Sequence, residues 1–188
     1  MNPAFDFAFE EHAAVLSQVR QTCLEPLERL IEEATARLSN SAKILFFGNG
    51  GSAADAQHFA TELTIRFAKD RRALAGLALT TDTSALTACG NDFGFDQVFS
   101  RQIEALGRPG DLAVALSTSG NSPNILAAVR LAKASGIFTA AFTGETGGKL
   151  RGEVDLLIAV PSQTTARIQE MHSLLGHLLC QEIEARLA

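Results

Sequence analysis

Short apolar segments alternate with longer amphipathic ones along most of the chain. Five apolar runs have the length and composition of buried strands, at residues 43–47, 74–79, 111–116, 137–143 and 154–160. Helical patterns separate or follow them, at residues 52–68, near 83–89, near 96–106, at 122–136 and at 164–187. This alternation predicts an α/β fold, a three-layer sandwich with a central five-stranded parallel sheet covered on both faces.

The segment before the first strand, residues 5–38, has a helical pattern. Pro26 is expected to end one helix and start a second, because proline suits a first helical turn. The apolar stripe of these helices is wide enough to pack on another helix or on another subunit, and it comprises Val15, Val19, Leu24, Leu27, Leu30 and Ile31. We find no repeat or linker, and therefore expect one domain over residues 1–188, with helices in 1–40 and the sheet in 41–188.

Composition narrows the class of protein. The chain has 188 residues, 46% of them hydrophobic, and a net charge of −5 without any long basic run, which argues against nucleic acid as a partner. Cys23, Cys89 and Cys180 are scattered and form no CxxC pair, as expected of core thiols in a reducing compartment. The sequence shows neither the apolar core of a signal peptide nor an apolar run as long as a membrane span. We expect a cytoplasmic protein with no membrane partner.

Two polar loops follow the first and third predicted strands. They are GNGGS at residues 48–52 and STSGNS at residues 117–122. Ligands of open parallel sheets bind at the carboxyl ends of the strands, and hydroxyl groups with free N–H groups at a helix start suit an anion. Ser122 fits equally well as a simple helix N-cap, with the rest of its loop acting as a turn. Taken together, the two loops favour a phosphorylated ligand.

A dinucleotide site is an alternative for the first loop. Gly48, Gly50 and Ala53 have the spacing of the G-x-G-x-x-G/A fingerprint, and Asp82 follows the second strand as a ribose-binding acid would. The fingerprint is weak by itself. It gives no role to the serine-rich second loop, nor to the His58 and Glu62 side chains that follow the first.

Residues able to carry out chemistry lie on two predicted helices. His58 and Glu62 are four positions apart and share one helix face, while the last helix carries Gln169, Glu170, His172 and His177. Imidazole and carboxylate groups can ligate a divalent metal or act as general acid and base. A surface pair four residues apart, and ordinary packed or exposed helix histidines, would explain the same residues. His172 falls on a different helix face from His177.

Five segments, in this order, resemble the phosphoheptose isomerases of the sugar-isomerase (SIS) domain superfamily. They are GNGGSAADAQHFATEL, LTACGNDFGFDQVFSRQIEALGRPGD, STSGNS, TGGKL and TARIQEMHSLLGH, and they span nearly the whole chain. The resemblance implies a flavodoxin-like SIS domain in a cytoplasmic homotetramer, with active sites between subunits and one zinc ion in each. It further implies interconversion of sedoheptulose 7-phosphate and D-glycero-D-manno-heptose 7-phosphate through an enediol, the first step towards the heptose of lipopolysaccharide or other surface glycans.

The resemblance also implies roles for individual residues. The phosphate would be bound by Ser117, Thr118, Ser119 and Ser122, with Ser52 close by. The sugar would be lined by Asn49, Gly50, Gly51, Asn91 and Asp92, and would also meet Glu62 and Gln169. Glu62 would be the catalytic base and His177 its acid partner. The metal ligands would be His58, Glu62, Gln169 and His177.

The geometry of one straight helix makes Gln169 the weakest of these ligands. Gln169 and His177 are eight residues apart, which is about 12 Å along a helix and ~80° around it. One ion meets both only if Gln169 lies at a frayed helix start, if the side chains converge or if another protomer supplies a ligand.

A non-catalytic relative, the protein that associates with the replication initiator DnaA, provides the alternative function. It resembles this chain in fold and in the RIQE-M-H segment, but has asparagine in place of the final histidine and lacks the second glycine of GNGGS. Here Gly51 and His177 are both present, which favours an isomerase over a partner-binding regulator. Some members have an acidic residue where this chain has Ala166.

Overall fold

The computed structural model describes residues 2–188 of the chain. Helices and strands alternate as the pattern predicts. In chain order they are α1 (Pro3–Thr22), α2 (Leu24–Ser39), β1 (Ile44–Gly48), α3 (Gly51–Thr64), β2 (Gly76–Ala78), α4 (Thr83–Asp92), α5 (Ser100–Leu106), β3 (Leu112–Leu116), α6 (Pro123–Ala134), β4 (Phe138–Gly144), β5 (Leu156–Val160) and α7 (Thr165–Leu187), with 3₁₀ turns at Phe95–Gln97 and Gly148–Gly152. None of the helices in residues 2–188 has the length and hydrophobicity needed to cross a membrane.

All five strands pair in parallel, in the order β2-β1-β3-β4-β5. The predicted five-stranded parallel sheet with helices on both faces is therefore confirmed. The strand order reverses between β1 and β3, which is where open α/β sheets bind ligands. Gly48 pairs with Leu116, so the loops that follow these two strands start side by side.

Each face of the sheet has its own hydrophobic core. Adjacent residues of β1 point to opposite faces, so Phe46 joins the core under the N-terminal helices, α3 and α7, whereas Phe47 joins the core under α5 and α6. Parallel strands covered on both sides are continuously apolar, and every residue of β1 and β3 is buried. This double burial holds the carboxyl ends of both strands in fixed positions.

The N-terminal helices pack within the protomer. Five of the six residues of the predicted stripe are buried in the core that α7 shares, whereas Leu24 is 45% exposed. The break between α1 and α2 falls at Cys23, so Pro26 lies in the first turn of α2 instead of at the junction. Near the start of α1, the side chains of Phe5, Phe7 and Phe9 are exposed.

The predicted helix over residues 52–68 is too long at its carboxyl end. α3 ends at Thr64, and the chain continues as a loop to residue 75. The backbone N–H groups of Phe67, Ala68 and Lys69 donate to the Glu184 carboxylate of α7 instead of to carbonyls of the preceding helical turn. A tertiary hydrogen-bond acceptor that local periodicity does not reveal therefore ends the helix.

The segment predicted as a helix near 96–106 is divided in two. Gly94 has a φ of 88°, which stops α4, and a short 3₁₀ turn precedes α5. The α4 helix itself runs three residues beyond the predicted end near residue 89, to Asp92.

Candidate functional site

The first polar loop connects β1 to α3 and is held by the start of α6. Gly50 has a φ of 57°, a backbone conformation that side chains with a Cβ rarely adopt. The Asn49 and Asn124 side-chain amides exchange two hydrogen bonds of 2.9 Å each. Because Asn124 lies in the first turn of α6, this exchange ties the first loop to the helix that the second loop begins.

The second polar loop is folded around Ser117, which is 6% exposed. Its hydroxyl accepts the Gly120 N–H at 3.2 Å. The 3₁₀ turn that precedes β5 is hydrogen-bonded to this loop, because the Leu150 N–H donates to the Gly120 carbonyl at 3.1 Å. Ser122 occupies the N-cap position of α6, but its side chain makes no capping hydrogen bond. The position predicted for a cap is therefore correct, while the Ser122 hydroxyl is left for another partner.

A cavity of about 360 Å³ opens beside the second loop. Thr118 and Ser119 line one side, and Thr165 and Ile168 at the start of α7 line another. The amino end of a helix carries a partial positive charge and unpaired N–H groups. This cavity therefore combines hydroxyl donors and a helix amino terminus, which suit an anion, with the Glu145 carboxylate, which opposes one.

A second cavity, of about 350 Å³, lies between the first loop and α7. Gly51, Asp55, Gln169 and Ser173 are among the residues that line it. A Cβ added to Gly51 would lie 2.7 Å from the Gln169 side-chain nitrogen. The absence of a side chain at Gly51 thus lets the Gln169 amide reach the glycine loop.

Three of the four predicted metal ligands meet between α3 and α7. The His58 Nε2 atom is 3.0 Å from Glu62 Oε1 and 3.3 Å from His177 Nε2. Each of the three residues, His58, Glu62 and His177, offers one nitrogen or carboxylate oxygen, and these three atoms all lie within 4.8 Å of one another. His58 is exposed, whereas Glu62 and His177 are half-buried, so the cluster faces solvent on one side.

The donor set of this cluster fits a divalent metal. Zinc prefers imidazole nitrogen, thiolate and carboxylate ligands, and catalytic zinc sites keep a fourth position open. Two nitrogen atoms each about 2.05 Å from a tetrahedral zinc ion lie about 3.3 Å apart, the separation observed between His58 and His177. His58 and Glu62 are therefore more than a surface pair four residues apart, because His177 lies beside them.

Gln169 stands apart from these three ligands. α3 and α7 run side by side in the same direction, with Gly51 opposite Gln169, Asp55 opposite Ser173 and His58 opposite His177. Gln169 is therefore about 12 Å along α7 from His177, two helical turns away. Within one protomer the predicted four-ligand set is divided, and metal binding by Gln169 stays a prediction.

Other predicted residues lie elsewhere. Asn91 and Asp92 are exposed at the end of α4, hydrogen-bonded to each other, and neither lines the two cavities described above. Ser52 is buried in the first turn of α3 against Gly48. Their contacts with the sugar or its phosphate stay predictions.

Two residues that the sequence analysis considered have structural roles. Asp82, the candidate ribose-binding acid, caps α4 by accepting the Ala85 N–H at 2.9 Å. His172 is fully buried, and its Nε2–H donates to the Thr143 carbonyl at 3.1 Å. Burial lowers the pKa of His172 to about 4, against the smaller opposing effect of that hydrogen bond. The prediction that His172 lies on a different face of α7 from His177 is confirmed.

Sequence reasoning missed Asp55. Burial raises the pKa of this carboxyl, while the Ser173 hydroxyl, at 2.9 Å, and the nearby His58 and His177 oppose the shift. The position of Asp55, three residues before His58 on the same face of α3, was the available signal. Sequence reasoning also missed Phe59 and Phe67, whose rings lie 6.0 Å from His58 and 5.9 Å from His177 between centroids.

Comparisons with known proteins agree with this architecture. The family model of the SIS domain matches residues 9–144, and α7 with His177 follows the matched segment. The phosphoheptose isomerase of Paramagnetospirillum magneticum is 56% identical over 180 residues, covering 96% of this chain and 94% of the relative. That of Aliarcobacter butzleri is 51% identical over 188 residues and covers both chains completely.

Solved structures give the same result. A phosphoheptose isomerase from Neisseria gonorrhoeae superposes with a TM-score of 0.92 at 46% identity, over 97% of this chain and 98% of that one. One from Francisella tularensis superposes with a TM-score of 0.95 at 35% identity, over 97% of each chain. Neither the dinucleotide nor the initiator-binding alternative is supported by these relatives. The chain belongs to the SIS-domain family and, within it, to the phosphoheptose isomerases.

Proposed function

We propose that the protein interconverts sedoheptulose 7-phosphate and D-glycero-D-manno-heptose 7-phosphate. The observation that carries this proposal is the meeting of His58, Glu62 and His177 between α3 and α7, in a chain that belongs to the phosphoheptose isomerases. Aldose–ketose isomerisation moves one proton between two carbons and another between two oxygens, and a carboxylate beside an imidazole can carry out both transfers. The cavity lined by Thr118, Ser119 and the amino end of α7 offers a site for the phosphate of the sugar.

The second loop would anchor the phosphate. The Thr118 and Ser119 hydroxyl groups line the cavity, and Ser122 carries a hydroxyl that does not cap its own helix. Holding the far end of the substrate fixes the reacting carbons in register with the acid and base. Ser117 would contribute mainly by supporting the backbone of the second loop, because its hydroxyl accepts the Gly120 N–H.

Glu62 and His177 would move the protons. Isomerisation takes a proton from one carbon and returns it to the neighbouring one, while the hydroxyl and carbonyl oxygens exchange a second proton. The Glu62 carboxylate is the base for the carbon-bound proton, using the oxygen that His58 does not contact. The His177 imidazole handles the oxygen-bound proton through Nδ1, which leaves Nε2, the atom 3.3 Å from His58 Nε2, as the ligand atom for a metal.

We further propose that the cluster holds one zinc ion. His58, Glu62 and His177 would be its ligands, with Gln169 reaching it only after a change of geometry or from another protomer. When bound, the ion polarises the sugar carbonyl and stabilises negative charge on the adjacent oxygens.

The remaining features belong to the proposal as well. We place the protein in the cytoplasm, as a homotetramer with sites at subunit interfaces that residues 1–40 help to assemble. The three exposed phenylalanines near the start of α1 support an interface there. The product would enter the synthesis of heptose for lipopolysaccharide or other surface glycans. Residues 1–188 would form a single domain.

A proton NMR time course in D₂O tests the activity. The purified protein is incubated with sedoheptulose 7-phosphate, with and without a chelator, and with zinc restored. We expect the aldoheptose phosphate to appear with deuterium at C2, because the enediol exchanges its proton with solvent. The chelator arm shows whether the reaction requires a metal.

The controls separate the alternative functions. Glu104→Gln changes an exposed carboxylate on α5 and should react like the unaltered protein. A folded protein that converts no substrate under any of these conditions would overturn the proposed isomerase activity and favour a partner-binding role. Stabilisation against heat by NAD(H), but not by the sugar phosphate, would favour a dinucleotide-binding protein.

A further inference from the structure

The loop between α3 and β2 is fastened by a buried ion pair. Glu184, on the last turns of α7, is 3% exposed and accepts the N–H groups of Phe67, Ala68 and Lys69 at 2.8–2.9 Å. Arg71, with a side chain 1% exposed, places its Nε 3.1 Å from Glu184 Oε2. Burial opposes the charge of Glu184, but the three N–H donors and Arg71 outweigh it and lower the pKa of Glu184.

The same arginine closes the end of the helix that carries the cluster. Arg71 Nη2 donates to the Glu62 carbonyl at 2.7 Å, and Nη1 donates to the Leu63 carbonyl at 2.9 Å. The last carbonyls of a helix have no partner within the helix, so these two bonds fix the final turn of α3. The backbone of Glu62 is therefore held by a cation that Glu184 neutralises.

Phe67 connects this loop to His177. Its N–H is one of the three that Glu184 accepts, and its ring lies 5.9 Å from the His177 imidazole between centroids, with a 54° angle between the planes. His177 also meets His58, whose ring stands at 82° to it. The imidazole is thus bounded by the loop on one side and by α3 on another.

We propose that Phe67 is a positioning residue for His177, and that Arg71 and Glu184 act with it by holding residues 65–73 in one conformation against α3 and α7. The loop sets the orientation of the imidazole, and the Arg71 bonds set the backbone of Glu62. A shift of about 1 Å at a reacting group can lower turnover by about a hundredfold. The inference deepens the proposed isomerase function and rests on it for the kinetic readout only.

The principal variant is Glu184→Gln. Its side chain keeps the size of glutamate but replaces one acceptor oxygen with an NH₂ group and leaves Arg71 without its counter-charge. We expect kcat to fall about tenfold or more, with KM for the sugar phosphate changing less than about threefold, because the phosphate loop lies at the other end of α7.

Asp111→Asn is the matched control. Asp111 is 2% exposed, accepts the N–H groups of Lys43 and Arg108, and pairs with the Lys43 ammonium at 2.6 Å. It lies immediately before β3, and its partners Lys43 and Arg108 belong neither to the cluster nor to the loop of residues 65–73. The variant should lose stability as Glu184→Gln does, while kcat stays within about twofold of the unaltered value.

A second readout does not depend on catalysis. The ring signals of His177 in the metal-free, ¹⁵N-histidine-labelled protein are identified by their loss in His177→Ala. We expect Glu184→Gln to shift or broaden them, although residue 184 is two helical turns away, and Asp111→Asn to leave them unchanged. Phe67→Leu should lower kcat in the same way, and Phe67→Tyr, which keeps the ring, should restore it.

The outcomes are distinct. Unchanged His177 signals in folded Glu184→Gln, or equal losses of kcat in Glu184→Gln and Asp111→Asn, would overturn the inference. If Glu184→Gln does not fold, the test passes to Phe67→Leu. An unaltered kcat in that variant would overturn the inference. If the unaltered protein has no isomerase activity, the proposed function fails, and the His177 signals still decide the positioning role.

Discussion

The Nε2 atoms of His58 and His177 lie 3.3 Å apart although 119 positions separate the two residues in the chain. Their meeting depends on how closely α3 approaches α7. At the level of these histidines, the Phe59 ring rests on Gly176, where an added Cβ would lie 2.0 Å from Phe59 Cζ. A small residue on α7 therefore permits the helix contact on which the cluster rests.

Gly176→Ala should both destabilise the protein and disturb the cluster. The extra methyl group must displace the Phe59 ring, and such overpacking costs about 1–3 kcal/mol. Urea unfolding measures the loss of stability. Gly90→Ala is the control, because a Cβ there meets nothing within 4 Å and alanine favours the α4 helix. Equal stability of the two variants would contradict the packing argument.

Glu62→Gln and His177→Ala should each lose turnover without losing the substrate. Removing a general base or acid typically lowers the rate by about 10²–10⁴-fold, whereas the phosphate loop remains intact. The NMR assay gives the rate, and calorimetric titration with sedoheptulose 7-phosphate gives the affinity. If either variant keeps full activity, the residue that it replaces does not have the role assigned to it.

The sequence predicts the scaffold of the site better than its ligand geometry. The loops at residues 48–52 and 117–122 were correctly placed after neighbouring parallel strands, because short apolar runs define strands and glycines mark the turns. The partnership of His58 with His177 came from the family resemblance, since no local pattern specifies the register of α3 on α7.

The features that sequence did not predict are tertiary. Asp55 pairs with Ser173 across the helix interface, and Glu184 ends α3 by accepting N–H groups from a loop more than a hundred residues earlier. Such contacts depend on the packing of whole elements rather than on spacing within one segment. They had no signature beyond the shared helix face of Asp55 and His58.

Zinc should stabilise the protein through the histidine cluster. A ligand that binds only the folded state adds about 2.7 kcal/mol of stability at a free concentration 100 times its Kd. Thermal unfolding of the metal-free protein, with increasing zinc, should show a rise in Tm that His58→Ala removes. His12→Ala is the control, because His12 pairs with Glu170 outside the cluster. An equal rise in His58→Ala would place the metal elsewhere.

Acid should weaken the fold first through His172, whose pKa is lowered to about 4 by burial. An unfolded histidine has a pKa near 6.5, so below that value the unfolded chain binds a proton that the folded chain does not. Stability is therefore lost as pH falls from about 6.5 to about 4, by about 2 kcal/mol between pH 7 and pH 5. The carboxyls with lowered pKa, such as Glu184, lose their contribution at lower pH.

His172→Gln should remove this dependence, because glutamine does not titrate and can still donate to the Thr143 carbonyl. The free energy of unfolding in urea, measured at pH 7, 6 and 5, should fall more steeply for the unaltered protein than for the variant. The other histidines are the same in both proteins, so their contribution cancels in the difference. Parallel curves would mean that His172 is protonated in the folded state as readily as in the unfolded chain, and that its burial does not exclude the charge.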